Sequence, residues 1–237
     1  MAADKSLERA LAAECVGTAL LLAAVVGSGI MGERLSGGNV AVALLANTIA
    51  TGAALVALIL TFGSVSGAHF NPAVSIADAA LGGLRWPAAA AYIVVQCIGA
   101  VAGVALADAM FAEPVFGWST HVRSGWPQLL SEATATFGLL AVIWGCARRR
   151  PDAVPFAVGA YIISAYWFTA STSFANPAVT IARSLTNTFA GIRPTDVGGF
   201  IVAQIVGATL ATALFRWMIP ELSEVAGRAV LPHTPPH

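Results

Sequence analysis

Apolar residues run through this chain in six long blocks, not in the narrow stripe that recurs every three or four residues along a soluble amphipathic helix. The blocks occupy about residues 10–31, 40–62, 88–110, 128–147, 153–170 and 197–219. Each comes close to the roughly 20 residues that, at about 1.5 Å per residue, cross a hydrocarbon core about 30 Å thick. Between them lie a polar segment at 31–39, a Gly- and Trp-dotted segment at 111–127, the basic turn Arg148-Arg149-Arg150-Pro151-Asp152, and a segment at 190–196. The pattern predicts six transmembrane helices and leaves no stretch for a soluble domain. Glu14 interrupts the first block and five more follow, so that block reads as a retained helix and not as a cleaved leader.

Two shorter signals break the pattern. Asn71-Pro72-Ala73-Val74 and Asn176-Pro177-Ala178-Val179 repeat one tetrapeptide. Asn accepts a backbone N–H at a helix N-cap and Pro is tolerated at the first helical position, so each copy predicts a helix start. The helices expected from them, Pro72 to Leu81 and Pro177 to about Thr186, are each about 15 Å long, half a membrane. Neither spans alone, and unpaired backbone at that depth is tolerated only inside protein or along a wet cavity.

The spans themselves repeat. Tyr92 to Ala100 matches Phe200 to Ala208 at the positions Gln96/Gln204 and Gly99/Gly207, and Glu14 in the first span answers to Glu132 in the fourth. Three spans per copy is an odd number, so the second copy enters from the opposite side. The prediction is one domain over 1–237, with repeat one at about 10–110 and repeat two at about 128–219. An inverted repeat of this kind brings broken helices together near the midplane. The two half-helix N-termini, each carrying about half a positive elementary charge, then make the centre electropositive. A cation or proton is repelled there, while a neutral hydroxylated molecule exchanges water for the amide donors of Asn71 and Asn176.

Composition agrees with a membrane protein and excludes little else. The chain has 57% hydrophobic and 10% charged residues, against roughly 25% charged in an average soluble domain. Its zero net charge gives no support to nucleic-acid binding. Cys15, Cys97 and Cys146 fall in apolar stretches without paired spacing, which favours buried thiols over disulfides or a metal site. No metal ligand set, cofactor signature or catalytic constellation is visible, so no enzyme activity is expected. Basic loops stay in the cytoplasm, so Arg148–Arg150 predicts both termini inside, which Lys5, Arg9, Arg216 and Arg228 permit.

Ser66-Gly67-Ala68-His69-Phe70-Asn71-Pro72-Ala73-Val74, the second Asn176-Pro177-Ala178, Glu14, Glu132 and the Gln-x-x-Gly pairs together resemble the aquaporin and aquaglyceroporin family over nearly the whole chain. The resemblance implies an all-α integral membrane fold of six transmembrane helices plus two half-spanning re-entrant helices in an inverted repeat. It also implies a homotetramer in a bacterial inner membrane, with a passive pore in each subunit for small neutral solutes. Members that filter tightly for water carry Arg directly after the second Asn-Pro-Ala; here that position is Val179. By the family's spacing the rest of the filter falls on Thr51, Ser173 and a fifth-span residue, Tyr166 or Ser164, with Tyr166 favoured. Arg183 lies one helical turn beyond Val179, and a long arginine there is expected to reach for the interface more often than for the mouth. Replacing a charged donor by a branched hydrocarbon widens and dries the ring, and similar bacterial members with Val in this place include metalloid channels associated with arsenic resistance. The expected solutes are therefore glycerol, water and arsenous acid.

Intramembrane acids are costly. Glu14 and Glu132 are read as acceptors for the broken backbone in preference to a proton relay. Gln96 and Gln204 are expected to bond across helices. His69 reads equally as a gate or as a packed, hydrogen-bonded side chain. Asp78 is expected to be solvated at the far end of its half-helix. An ion-coupled secondary transporter also uses inverted repeats, but no acidic cluster sits beside the two Asn residues to serve as its coupling site.

Overall fold

The computed structural model describes residues 2–147 and 150–220, with side chains from Ser6 onward. Arg148, Arg149, Arg228 and the side chain of Lys5, which bear on orientation, lie outside this description. Among the described residues there are eight α-helices and no strand: α1 (Ala2–Leu35), α2 (Val40–Ser66), α3 (Pro72–Leu81), α4 (Trp86–Met110), α5 (Trp126–Ala147), α6 (Val154–Phe168), α7 (Pro177–Arg183) and α8 (Pro194–Met218). Six are long, and α3 and α7 are the half-helices.

Helix ends follow local chemistry. Asn39 starts α2 by accepting the N–H groups of Ala41 and Val42 at 3.1 and 3.3 Å. Helix α3 runs from Pro72 to Leu81 as expected and stops where Gly82 turns left-handed at φ 85°. By contrast α7 ends at Arg183, short of the predicted Thr186. The Thr186 hydroxyl donates instead to Asp108 of α4 at 2.8 Å, and Ser184 folds its hydroxyl back onto the Ile181 carbonyl at 2.7 Å. Helix α1 extends past its apolar block to Leu35, because hydropathy marks the lipid core and not the helix end. Helix α6 has 15 residues and is preceded by a 3₁₀ turn over Pro151–Ala153. Together they reach about 28 Å.

The two repeats use the same packing. Helix α1 lies against α2 and α4, α5 lies against α6 and α8, and α2 meets α6 across the middle. Each half-helix wedges between α4 and α8, and α3 touches α7. Outward faces stay apolar: Val94, Ile98 and Leu106 on α4 and Val202, Val206 and Leu210 on α8 are exposed, a surface suited to lipid and not to water. Exposed Trp86 and Trp217 lie near one set of helix ends and Trp118, Trp126 and Trp167 near the other, where indoles favour the lipid–water boundary. The three cysteines are free thiols and only half-buried.

Close approach of the long helices depends on the repeated glycines. A Cβ on Gly99 would run into the Cys15 carbonyl of α1, and one on Gly207 into the Ala133 carbonyl of α5. Both obstacles are backbone, one residue beyond Glu14 and Glu132. Gly99→Ala and Gly207→Ala gain about 1 kcal/mol of helix propensity but force the helices apart, an overpacking cost of about 3 kcal/mol. The expected outcome is a lower thermal midpoint in detergent for each, whereas Gly198→Ala, with no heavy atom within 4 Å of the new Cβ, is neutral or slightly stabilising.

Candidate functional site

Between α2 and α3, and again between α6 and α7, the backbone is extended and twisted at the depth where hydrocarbon offers it no hydrogen bonds. Ala68 and Phe70 take φ 49°, and Ser173 and Ala175 take φ 48° and 47°. Left-handed non-glycine residues cost about 1 kcal/mol or more each, so something must hold them. Glu14 holds the first stretch: its carboxylate accepts the N–H of His69 at 2.9 Å and of Phe70 at 2.7 Å, the Ser66 hydroxyl at 2.6 Å and the Gln96 amide at 2.8 Å. Glu132 holds the second, accepting the N–H of Phe174 and of Ala175 at 2.9 Å each and the Gln204 amide at 2.6 Å. Gln96 and Gln204 also donate to Ser75 and Thr180 at 3.0 and 2.8 Å, and those hydroxyls donate to the carbonyls of Asn71 and Asn176. Ser66, Ser75, Thr180 and Tyr92, whose hydroxyl donates to the Ser66 carbonyl at 3.0 Å, complete networks that the sequence reading had not assigned.

The two loops meet start to start. Asn71 Oδ1 accepts the Ala73 N–H at 2.9 Å, and Asn176 Oδ1 accepts those of Ala178 and Val179 at 3.0 and 3.3 Å. Pro72 and Pro177 occupy the first helical positions. Each side-chain amide crosses to the other loop, Asn71 Nδ2 donating to the Ala175 carbonyl and Asn176 Nδ2 to the Phe70 carbonyl, both at 2.8 Å. One amide hydrogen of each Asn is thereby used, and the second is left for the cavity that both residues line.

That cavity is narrow, about 70 Å³, and mostly apolar. Leu21, Val25, Leu139, Ile143 and Ile162 supply hydrocarbon wall, and polar groups are contributed by Thr51, Tyr166, Ser173, His69 and the two Asn residues. The Thr51 and Tyr166 hydroxyls lie 3.3 Å apart. Ser164 is exposed and donates to the Tyr161 carbonyl, outside the cavity. The Ser173 hydroxyl has no partner among the described residues. Val179 lines the cavity beside them, and Ala73 and Ala178 are fully buried behind it. His69 lines the cavity while its Nδ1 lies 3.1 Å from the Ser75 hydroxyl and its ring meets Tyr92 edge-on at 5.6 Å.

Two charged residues depart from expectation. Asp78 is 1% exposed, not solvated, and its carboxylate lies 3.9 Å from His69 Nε2. Arg183 does not reach for the interface: it is 2% exposed and lines the cavity. Its Nε donates to the Ala190 carbonyl and its guanidinium lies over the Phe174 ring at 3.4 Å, so the loop after α7 folds over the side chain and closes the route to the interface. The segment 111–125 crosses the same end, Ser119 N–H donating to the Ser184 carbonyl at 3.0 Å and Arg193 N–H to the His121 carbonyl at 2.7 Å. It brings Arg123 to the same ring, 4.9 Å from the Phe174 centroid. Burial holds the Arg123 guanidinium below its ordinary value, and burial together with Arg123 does the same to the His121 imidazole. No spacing signal in the sequence singles out Arg123, because its position is set by a loop fold.

A narrow apolar cavity between two inverted half-helices, inside six membrane-crossing helices, defines a polytopic integral membrane protein of the pore-forming type. The chain matches the family model described as "Major intrinsic protein" over residues 1–163 and again over 149–234, and it belongs to that family. It is 54% identical over 230 residues to the aquaglyceroporin AqpS of Rhizobium meliloti (strain 1021), covering 97% of this chain and 98% of that one. It is 32% identical to aquaporin NIP3-1 of Oryza sativa subsp. japonica, covering 97% of this chain and 69% of the relative. The solved aquaglyceroporin of Plasmodium falciparum shares its fold at a TM-score of 0.71 and 20% identity, covering 92% of this chain and 99% of that one. The family is non-enzymatic.

Glu132→Gln turns one carboxylate oxygen into an amide donor that faces the N–H of Phe174 or Ala175. Bonds to charged acceptors are worth about 1.5–3 kcal/mol each, so Glu132→Gln and Glu14→Gln are each expected to lose about 3 kcal/mol, seen as a lower thermal midpoint in detergent. An unchanged midpoint with abolished transport would instead support proton relay by these acids.

Proposed function

We propose that the protein is a passive channel for small, uncharged, hydroxylated solutes, namely glycerol, water and arsenous acid, and that it excludes ions and protons. One observation carries this reading: two Asn-capped half-helices brace each other beside a narrow cavity whose wall combines hydrocarbon with a few hydroxyl and amide groups. Glycerol has the same two-sided chemistry. Its hydroxyls take the free Asn71 and Asn176 donors and its carbons slide along Leu139, Ile143 and Val179. Arsenous acid, neutral and bearing three hydroxyls, fits the same description. A cation must shed water between two helix N-termini of positive partial charge, and the apolar walls give nothing back.

Thr51, Tyr166, Ser173 and Val179 are the constriction that selects among these solutes. The Thr51–Tyr166 contact and the unpartnered Ser173 hydroxyl support that reading. The subunit is read as one of a homotetramer in the inner membrane of a bacterium, supported by family membership and by a bacterial relative that spans the whole chain. Both termini are read as cytoplasmic, because the end of α5 and the start of α6, which flank Arg148–Arg150 in the sequence, lie on the side where α1 starts and α8 ends. An ion-coupled transporter is not favoured: among the described residues no group of three or more His, Cys, Asp or Glu side chains gathers to hold an ion.

The test is the permeability of proteoliposomes to water, glycerol and arsenous acid. Val179→Arg adds a planar charged donor at the constriction. It is expected to lower glycerol and arsenous acid permeability about tenfold, equivalent to about 1.4 kcal/mol of barrier, and water permeability less. A wild type that passes water alone overturns the wide-filter reading.

A further inference from the structure

The strongest feature outside the family pattern is a pair of guanidinium groups against the Phe174 ring, of which Arg183 lines the cavity where α7 finishes. Arg183 is nine-tenths buried or more, lines the cavity, and makes one hydrogen bond among the described residues, from Nε to the Ala190 carbonyl. Its two terminal nitrogens take no acceptor among the described residues. Arg123 spends Nε on the Gly191 carbonyl at 2.8 Å and one terminal nitrogen on the Ser171 carbonyl and the Thr172 hydroxyl at 3.1 and 3.4 Å. The two stand at 3.4 and 4.9 Å from the centroid of one aromatic ring, Phe174. Neither has an ion-pair partner among the described residues. The carboxylates nearby are engaged elsewhere: Glu132 with Phe174, Ala175 and Gln204, and Asp196 with Arg193 and the Arg123 backbone N–H. Helix α7 orients its negative end toward Arg183, which helps to hold the charge in place but offers no acceptor at the cavity-facing nitrogens.

We propose that this end of the pore is a binding station for a small planar oxyanion, of carboxylate or nitrate shape, with Arg183 as its ligand and Arg123, outside the cavity lining, adding positive charge behind it. A guanidinium presents parallel N–H donors that match two oxygens of a planar oxyanion, which a spherical anion cannot copy. The Ser173 hydroxyl, buried and without a protein partner, stands on the same cavity wall as a further donor. An anion held there is retained, because moving inward gives up full guanidinium charge for the partial charges of the half-helix N-termini and a wall that includes Val179, Leu139, Ile143 and Val158. A bound oxyanion therefore occludes the pore to neutral solutes, which pass when the station is empty.

The inference rests on the channel reading only for its flux readout. Nitrate is the probe, since it stays ionised across the pH range and cannot cross as a neutral acid. Glycerol-driven swelling of proteoliposomes is compared in nitrate and in chloride at equal ionic strength, and nitrate is expected to lower wild-type flux saturably to about half in the millimolar range. Arg183→Met is expected to respond equally to both salts, and Arg183→Lys, which keeps the charge without the planar fork, to show a weakened nitrate effect. Independently of conduction, nitrate is expected to raise the thermal midpoint of purified wild-type protein over its value in chloride, and not that of Arg183→Met. Equal wild-type behaviour in the two salts in both assays, or nitrate sensitivity undiminished in Arg183→Met, overturns the proposal. A wild type that fails to conduct glycerol yet shows the nitrate-dependent midpoint overturns the channel reading and leaves this one standing.

Discussion

Everything in this molecule turns on the need to satisfy backbone polar groups where no water reaches. Two stretches of non-helical chain sit at the middle of the membrane, and each is fastened by one carboxylate that accepts two consecutive backbone N–H groups. The carboxylates are themselves made tolerable by amide donors from α4 and α8. Gly99 and Gly207 allow α1 and α5 to come close enough for those bonds to form. Sequence repeat, helix crossing and loop conformation are thus one device used twice.

The duplication is symmetric in scaffold and opposite in charge. Ser66 and Ser171, Ser75 and Thr180, and Gln96 and Gln204 hold matching places. Asp78 and Arg183 also hold matching places, on α3 and α7, and each lies beside the matching ring, His69 or Phe174. One half-helix therefore carries a buried acid and the other a buried base. The Asn braces at the centre keep the apolar cavity continuous, and the charged groups are confined to its flanks.

How much of this was legible in the sequence depended on how local the governing interaction was. Asn-Pro fixed the start of both half-helices, because caps act over a few residues. The end of α7 at Arg183, and not at Thr186, is set by non-local contacts, among them the hold of Asp108 in a distant helix on Thr186. Asp78 and Arg183 were misread for the same reason. A charge is expected in water by default, and only the folded loops with Phe174 and Ala190 show why Arg183 stays inside. That Thr51 and Tyr166 come together from 115 residues apart, with Ser164 outside the cavity, was also visible only in the fold.

The central claim is that braced half-helices pass neutral solutes and turn away charge. Its most direct test is a simultaneous record, on one proteoliposome preparation, of glycerol-driven swelling and of proton leakage under an imposed membrane potential. The account requires swelling that rises linearly with the glycerol gradient and ignores protonophores, with proton leakage no greater than in protein-free vesicles. Solute flux that saturates, follows the ion gradient, or brings a protein-dependent proton current would contradict it.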